Sequence, residues 1–297
     1  MISSAATLHR DDSVTSPEVT GTSLPPDTFG FLETDVIDAV AIADVLDGKR
    51  LGVICRNVVA PRDRTAICEN FWRHEGRYTR GSDAPAEYLG TYHYAKPTAV
   101  YLEQAQAANA VLPALFEGVI NPVAAMKDAL SAELARRSRR LRPARHDGLE
   151  ACTFVMRSWT GTRSFALAPH EDAAQCTDPI QAGFEIQDAA AANALGAVNI
   201  CLQNGDGGQL RLWNVRPDAA TRKALGVETT GIPYPVPLIE RFGSIDVTIR
   251  PGDLYVFDGR FLHAVTGLDG VGGATGQRAT IAFLMAHLGA DETIGWT

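Results

Sequence analysis

The sequence changes its pattern near Gly148, and this change limits the folds that the chain can adopt. Residues 148–297 consist of short apolar stretches separated by glycine and proline turns, which is typical of strands. Residues 29–147 are mainly helical in pattern, with a single predicted strand at 50–59. Helices are predicted at residues 36–48, 61–75, 100–116 and 122–139. Helices followed by strands predict an α+β fold in which N-terminal helices buttress a jelly-roll core, also known as a double-stranded β-helix.

Eight stretches in the second part have the length and apolar content of jelly-roll strands. They are 152–159, 165–170, 197–203, 209–213, 244–249, 253–257, 261–265 and 277–286. We expect a single catalytic domain over residues 29–297, because no second core is indicated. Residues 1–28 are rich in Ser, Thr, Pro and Asp and are predicted to be a flexible tail.

Composition excludes several classes of partner. The formal net charge of −8 argues against a nucleic-acid partner, which requires a basic surface. No run of about eighteen apolar residues is present, so no membrane span is expected. The five cysteines are scattered, without the spacing of a disulfide framework or a zinc site, which indicates a reducing compartment such as the cytoplasm. The sequence leaves the oligomeric state open.

The most basic stretch, residues 135–146, contains six arginines. We interpret it as the solvated C-terminal end of the helix predicted from Pro122, where positive side chains interact favourably with the helix dipole. A surface patch that binds an anion or a partner is the alternative.

His170 and Asp172 lie two residues apart at the end of the predicted strand 165–170. Residues at this spacing point to the same face of a strand, so both side chains can bind one metal ion. His263, on a later predicted strand, is a candidate third ligand. Two imidazoles and one carboxylate on one side of a metal are the ligand set of non-heme Fe(II) oxygenases. A packed or hydrogen-bonded histidine is the alternative for each histidine alone.

These residues stand in an order that resembles the Fe(II)/2-oxoglutarate-dependent oxygenases, particularly the prolyl-hydroxylase-like branch. The resemblance covers roughly residues 150–290. Its elements are His170-x-Asp172, the Gly-Gly-x-Leu stretch at 207–210, Pro-Gly-Asp at 251–253, His263 and Arg278. Residues 47–63 and the C-terminal stretch most resemble the freestanding aliphatic halogenases of indole-alkaloid pathways and their hydroxylating relatives.

The resemblance implies that Fe(II), 2-oxoglutarate and O2 are used to hydroxylate an unactivated C–H bond of a small biosynthetic molecule, with release of succinate and CO2. The halogenases carry a small residue where this chain has Asp172, which leaves room for chloride on the iron. Asp172 therefore favours hydroxylation. The same cofactors could also give desaturation, cyclisation or epoxidation.

In the family, the far carboxylate of 2-oxoglutarate meets a basic residue on the strand after the distal histidine. Arg278 has that place, and its apolar neighbours predict a buried strand in which an arginine needs an anion. Thr280 is expected on the same face as Arg278, and Asn199 on a neighbouring strand is a further candidate for binding the co-substrate. Arg260 is the main competitor of Arg278.

Two readings of another kind stay open. A jelly roll can also serve as a non-catalytic binding protein, and a cupin-type oxygenase would need no 2-oxoglutarate. Retention of the three ligand types together with Arg278 weighs against the binding protein, and Arg278 weighs against the cupin-type oxygenase. The long connection 214–243 and the aromatic stretch 88–94 are expected either to frame the substrate or merely to pack on the barrel.

Overall fold

Two β-sheets of unequal size form the core of the computed structural model, which describes residues 17–80, 86–160, 164–192, 194–268 and 276–297. The described helices are α1 (Ala39–Leu46), α2 (Pro61–Arg73), α3 (Thr98–Val111), α4 (Pro122–Arg136), α5 (Ile186–Ala190), α6 (Ala219–Leu225) and α7 (Val236–Ile239). Short 3-10 turns lie at Leu112–Phe116, Ala174–Thr177 and Pro179–Gln181. None of these helices combines the length and hydrophobicity that a membrane crossing requires.

The strands of the described residues are numbered in chain order. They are β1 (Gly21–Thr22), β2 (Phe31–Thr34), β3 (Gly52–Cys55), β4 (Tyr78–Thr79), β5 (Ala86–Leu89), β6 (Arg140–Pro143), β7 (Arg145–His146), β8 (Leu149–Glu150), β9 (Val155–Thr160), β10 (Phe165–His170), β11 (Leu195–Gln203), β12 (Leu210–Trp213), β13 (Arg216–Pro217), β14 (Ser244–Val247), β15 (Leu254–Asp258), β16 (His263–Thr266), β17 (Gln277–Leu288) and β18 (Glu292–Trp296).

The large sheet has the order β2-β3-β15-β11-β17-β9-β5-β4, and β18 and β6 continue it beside β17. The small sheet has the order β10-β16-β12-β14. Both sheets are antiparallel except where β2 meets β3 and where β18 meets β6. Two facing sheets of this kind are the jelly-roll core that the strand pattern predicts.

Alternation along the strands gives the large sheet two apolar faces. Val198 and Ile281 point to one face and join a single core cluster with buried residues of the first four helices. Ala197 and Tyr255 point to the other face and pack against Leu212 of the small sheet. Helices therefore cover one face of the large sheet, and the space between the two sheets is left for a site.

Local capping sets where the helices begin. The side chain of Asp38 accepts a hydrogen bond from the backbone N–H of Ala41, so α1 starts later than the predicted residue 36. Pro61 is the first residue of α2, where its missing N–H costs nothing. Asn121 caps α4 in the same way as Asp38 caps α1.

Residues 1–28 were expected to be a flexible tail, but the segment 17–28 is partly packed against the fold. Residues 1–16 lie outside the described residues. Val19 is fully buried, and Gly21–Thr22 pairs with Arg216–Pro217. The polar composition did not reveal this pairing, because a two-residue strand has too few side chains to form a pattern. In the aromatic stretch 88–94, Tyr88 belongs to β5. Its side chain packs on the inner face of the large sheet.

The arginine-rich stretch 135–146 also departs from the predicted solvated helix end. Helix α4 ends at Arg136, and Arg140–Pro143 becomes β6 in parallel pairing with β18. Arg142 is held between Glu185 and Glu292, with nitrogen to oxygen distances of 2.6 and 2.5 Å. Glu185 and Glu292 therefore neutralise Arg142, which the sequence analysis expected to be solvated.

Candidate active site

The small sheet places the two histidines side by side. His170 is the last residue of β10, His263 is the first residue of β16, and the two are direct cross-strand partners. Their ring centroids are 4.0 Å apart. Asp172 follows the end of β10, where its backbone N–H donates to the carbonyl of Gly259 at 2.8 Å. This bond holds the carboxylate next to the two imidazoles.

Each imidazole is oriented by the backbone carbonyl of the residue two positions before it in the chain. Nδ1 of His170 lies 2.8 Å from the carbonyl of Ala168, and Nδ1 of His263 lies 2.9 Å from the carbonyl of Phe261. A carbonyl oxygen only accepts hydrogen bonds, so Nδ1 carries the proton and Nε2 keeps its lone pair in each neutral ring. Such a hydrogen bond on the far nitrogen is the usual support of a metal-binding histidine.

The free ring nitrogens face the carboxylate of Asp172. Nε2 of His170 lies 3.9 Å from Oδ1, and Nε2 of His263 lies 3.5 Å from Oδ2. One donor atom from each of the three residues lies within 4.8 Å of the others. Gly259 makes room for this arrangement, because a Cβ there would lie 2.5 Å from Oδ2 of Asp172. Two neutral nitrogens and one carboxylate oxygen suit Fe(II) as a donor set.

Burial sets the protonation of these groups. It lowers the pKa of His170 to about 3, with the neighbouring His263 as a second cause. It lowers the pKa of His263 to about 4. Burial also raises the pKa of Asp172 above its usual value, although His170 and Arg157 oppose this. Both imidazoles are therefore neutral at physiological pH, as metal binding requires.

Arg278 lies deep in the same cavity. Its side chain is 1 % exposed, and Nη2 donates to the hydroxyl of Tyr255 at 2.6 Å. Nε is buried without a hydrogen-bond partner, and no carboxylate among the described residues pairs with the guanidinium. Gly208 clears the space beside it, because a Cβ there would lie 3.0 Å from Cδ of Arg278. A buried cation with unused donors fits a carboxylate ligand such as one end of 2-oxoglutarate.

Arg260, the competitor of Arg278, is already neutralised. Its Nε and Nη2 lie 2.9 and 2.8 Å from the carboxylate of Asp258, and Nη1 donates to the carbonyl of Ala192. Its donors are therefore occupied within the protein, and Arg278 is the better anchor of the two.

Thr280 and Asn199 contact a third arginine instead of Arg278. Nε of Arg157 lies 3.5 Å from Oγ1 of Thr280, and Nη2 lies 3.5 Å from Oδ1 of Asn199. The cross-strand register explains this, since Thr280 is directly opposite Arg157, whereas Arg278 is opposite Trp159. Thr280 does share the face of Arg278, as the sequence predicts, but its hydroxyl lies on the Arg157 side.

A cavity of about 410 Å³ connects these groups. It is lined by the three candidate ligands, by Arg157 and Arg278, and by aromatic side chains of residues 88–94. Thr230 and Ile232, from the long connection 214–243, line another wall. Both stretches that the sequence proposed as possible substrate contacts therefore border the cavity.

Three residues of the site were missed by sequence reasoning. Tyr255 is the partner of Arg278, Gly259 clears space for Asp172, and Glu171 is a buried acid between the two ligands. Glu171 had the one usable signal, because an acidic residue in an apolar strand end needs a cation. For the other two, the decisive contacts join separate strands and leave no local pattern.

Comparisons with known proteins agree with this geometry. A family model described as carrier-protein-independent halogenase WelO5 matches residues 29–294. The chain is 28 % identical over 284 residues to an L-isoleucine 3(1)-dioxygenase of Pantoea ananatis (strain AJ13355), covering 91 % of this chain and 93 % of the relative.

Among solved structures, an N-substituted L-amino acid dioxygenase from Burkholderia ambifaria AMMD superposes with a TM-score of 0.56 at 20 % identity. The match covers 87 % of this chain and 91 % of that one. A complex of that dioxygenase with alpha-ketoglutarate gives the same TM-score at 19 % identity. At this level of identity, the similarity supports the jelly-roll fold.

The family match spans most of the chain, and the candidate site contains groups that fit iron and a carboxylate such as that of 2-oxoglutarate. The chain therefore belongs to the carrier-protein-independent halogenase WelO5 family, as a non-heme dioxygenase that uses Fe(II), 2-oxoglutarate and O2.

Proposed function

We propose that this protein hydroxylates an unactivated C–H bond of a small carboxylate-bearing molecule of the amino acid class. In this proposal His170, Asp172 and His263 bind Fe(II), and Arg278 with Tyr255 binds the far carboxylate of 2-oxoglutarate. When bound, iron, 2-oxoglutarate and O2 together supply the oxidising power, with release of succinate and CO2.

The observation that carries the proposal is the presence of the three donors and the incompletely paired Arg278 in one cavity. A buried guanidinium without a carboxylate among the described residues is costly unless a ligand supplies the anion. A cupin-type oxygenase without 2-oxoglutarate would have no use for this cation, and a binding protein would have no use for the metal donors.

Asp172 favours hydroxylation over halogen transfer. Its carboxylate oxygens lie 3.9 Å from Nε2 of His170 and 3.5 Å from Nε2 of His263. The carboxylate also accepts a hydrogen bond from Nε2 of Gln175 at 3.1 Å. A chloride ligand would need the place of this charged and supported oxygen. Asp172 therefore supports hydroxylation in this proposal rather than the halogen transfer for which the family is named.

The residues of the chain prepare the reaction in three ways. Carbonyls of Ala168 and Phe261 keep both Nε2 lone pairs directed at one point. Burial keeps both imidazoles neutral, so no proton has to leave before metal binding. The walls around the cavity shape the space for the substrate and decide which of its C–H bonds lies nearest the metal.

Two further arginines support a substrate that carries a carboxylate. Arg157 is half-buried in the cavity, and the two side-chain hydrogen bonds that it donates to described residues are both long, at 3.5 Å. Arg80 lies over the ring of Tyr92 at 4.3 Å and also lines the cavity. Neither pairs with a carboxylate among the described residues. Such guanidinium groups favour a carboxylate ligand in bidentate geometry.

The curated relative from Pantoea ananatis is named for L-isoleucine, which also carries a carboxylate. We therefore assign the substrate to the amino acids and their derivatives. Arg278 is 1 % exposed and lies deeper in the cavity than the half-buried Arg157. When 2-oxoglutarate already occupies Arg278, a molecule that enters from solvent meets Arg157. We assign the substrate carboxylate to Arg157 for this reason.

The first test is an anaerobic titration of the apoprotein with Fe(II) and then with 2-oxoglutarate, followed by visible absorption of the metal chelate. The native protein is expected to give a charge-transfer band, and His263→Ala is expected to lose it. Iron binding without a band would reject Arg278 as the co-substrate anchor and favour a cupin-type oxygenase. Absence of iron binding would reject the metal site and favour a binding protein.

The second test is a substrate screen that reads succinate formation with L-isoleucine, other amino acids and their N-acyl derivatives. Product mass distinguishes hydroxylation, a gain of one oxygen, from desaturation, a loss of two hydrogens. With any substrate found, Arg157→Met is expected to raise KM for that substrate and to leave KM for 2-oxoglutarate nearly unchanged. A raised KM for 2-oxoglutarate with a nearly unchanged KM for the substrate would instead assign Arg157 to binding of the co-substrate.

A further inference from the structure

The connection 214–243 does more than border the cavity. We define its residues 218–234 as the brace segment, which contains α6 and the two cavity-lining residues Thr230 and Ile232. Its contacts reach the short stretch 169–177, in which His170 and Asp172 lie. One structural unit thus forms part of a pocket wall and contacts the residues next to the proposed metal ligands.

An ion pair forms the first link. The side chain of Glu171 is fully buried, and its Oε1 lies 3.0 Å from Nε of Arg222 in α6. The same carboxylate accepts the backbone N–H of Ala173 at 2.7 Å. A buried carboxylate requires a paired cation, and Arg222 is its ion-pair partner among the described residues. The ion pair therefore ties Glu171, the residue between the two candidate ligands, to α6.

Backbone contacts form the second link. The N–H of Glu171 donates to the carbonyl of Gly231 at 3.0 Å, and the N–H of Tyr234 donates to the carbonyl of Pro169 at 2.9 Å. Gly231 has φ +64°, and a Cβ there would lie 2.3 Å from the carbonyl oxygen of Glu171. Only glycine allows this close approach of the two chains.

The other end of the brace segment is fixed. Asp218 accepts the backbone N–H of Thr221 at 2.8 Å and so caps α6. The hydroxyl of Thr221 donates to the carbonyl of Thr20, beside the pairing of β1 with β13. Arg222 is therefore presented to Glu171 from an anchored helix.

From these contacts we infer that Arg222 and Gly231 are positioning residues for the metal centre. They touch no ligand atom, but they fix the backbone on which His170 and Asp172 are carried. The inference rests on the proposed function, because it takes His170 and Asp172 as metal ligands. Loosening the brace segment lowers metal affinity, since the donors lose part of their preorganised geometry.

The ion pair is tested by anaerobic calorimetric titration of purified apoprotein with Fe(II), alongside the folded fraction from circular dichroism. Arg222→Met is expected to weaken Fe(II) binding by about tenfold per folded molecule, as loss of outer support does at other metal sites. Arg222→Lys is expected to recover part of the affinity. Arg211→Met is the control, because Arg211 pairs with Asp246 on the same small sheet at the exposed surface.

The backbone contact is tested by Gly231→Ala, with Gly289→Ala, outside the brace segment, as its control. Both glycines have left-handed φ angles, +64° and +60°, so both variants place an alanine in a strained left-handed conformation. A Cβ at Gly289 meets nothing within 4 Å, whereas one at Gly231 meets Glu171. We expect weaker Fe(II) binding in Gly231→Ala alone.

Each outcome decides between explanations. Weaker binding per folded molecule in Arg222→Met and Gly231→Ala, with wild-type affinity in the controls, supports the positioning role. A lower melting temperature with unchanged Fe(II) affinity overturns it, because the brace segment is then only part of the general packing. Failure of the wild-type protein to bind Fe(II) overturns the proposed metal site and this inference together.

Discussion

The hydroxyl of Tyr255 accepts a hydrogen bond from Nη2 of Arg278 at 2.6 Å, and both side chains are 1 % exposed. Tyr255→Phe leaves this donor unsatisfied and removes a hydroxyl that could donate to a carboxylate. We expect KM for 2-oxoglutarate to rise about fivefold, which corresponds to roughly 1 kcal/mol for one hydrogen bond. Arg278→Met is expected to raise it by about thirtyfold or more. Steady-state succinate formation measures both, and an equal loss of Fe(II) affinity would contradict the assignment.

Gly259→Ala should disturb the metal site without removing a ligand. Its Cβ would lie 2.5 Å from Oδ2 of Asp172, so the carboxylate has to move away from the histidines. We expect at least tenfold weaker Fe(II) binding, by the same reasoning as for lost outer support. Gly243→Ala is the control, because a Cβ there meets nothing within 4 Å. Similar Fe(II) affinity in both variants, measured by anaerobic titration, would argue against Asp172 as a ligand.

Asp172→Ala tests the choice between hydroxylation and halogen transfer. Removing the carboxylate takes away the one acidic donor of the candidate centre, so hydroxylation should fall below detection. It also opens the space in which related halogenases hold chloride. Mass spectrometry of products made with chloride or bromide present shows whether halide is transferred. Unchanged hydroxylation by this variant would remove Asp172 from the site.

The Glu292 carboxylate predicts an acid dependence of stability. Hydrogen bonds from Arg142 and Arg140 hold its pKa at about 2, below the usual value of 4.5. A carboxyl group whose folded pKa is lowered stabilises the fold above its unfolded pKa and loses this effect as the pH falls. Glu292→Gln should therefore be less stable than the wild type at pH 7, and the difference should vanish between pH 4.5 and 2.

Thermal melts from pH 7 to pH 2 measure this difference. The control is Glu103→Gln, which changes an exposed glutamate of α3 that has no ion pair among the described residues. A gap between Glu292→Gln and wild type that stays constant with pH would mean that packing, not charge, accounts for the loss.

Strands β9 to β12 and β14 to β17, and the three candidate ligands, were predictable because each is encoded locally. Strands β2 and β4 to β7, in the part predicted to be mainly helical, and β18 were missed. The spacing of His170 and Asp172 places both side chains on one face at the end of a strand. The turn at Pro251-Gly252 marks the start of the strands that lead to His263. Arg278 was predictable because a charged residue inside an apolar strand signals a buried partner.

What the sequence missed depends on contacts between distant strands. Tyr255 meets Arg278 because β15, β11 and β17 lie side by side, an order that no single segment encodes. Thr280 turned towards Arg157 for the same reason, since cross-strand register decides its neighbours. Arg142 of β6 is paired with Glu185 and Glu292, which lie 43 and 150 residues further along the chain. Charge balance over such separations has no local signature.

The direct pairing of His170 with His263 makes the proposed metal site sensitive to the alignment of β10 and β16. A slip of one residue between β10 and β16 would turn one imidazole to the opposite face of the small sheet, because side chains alternate along a strand. A misaligned chain would then lack the paired imidazoles, however well its apolar residues were buried. Iron uptake during refolding would therefore select correctly aligned molecules from a mixture of compact but mispaired ones.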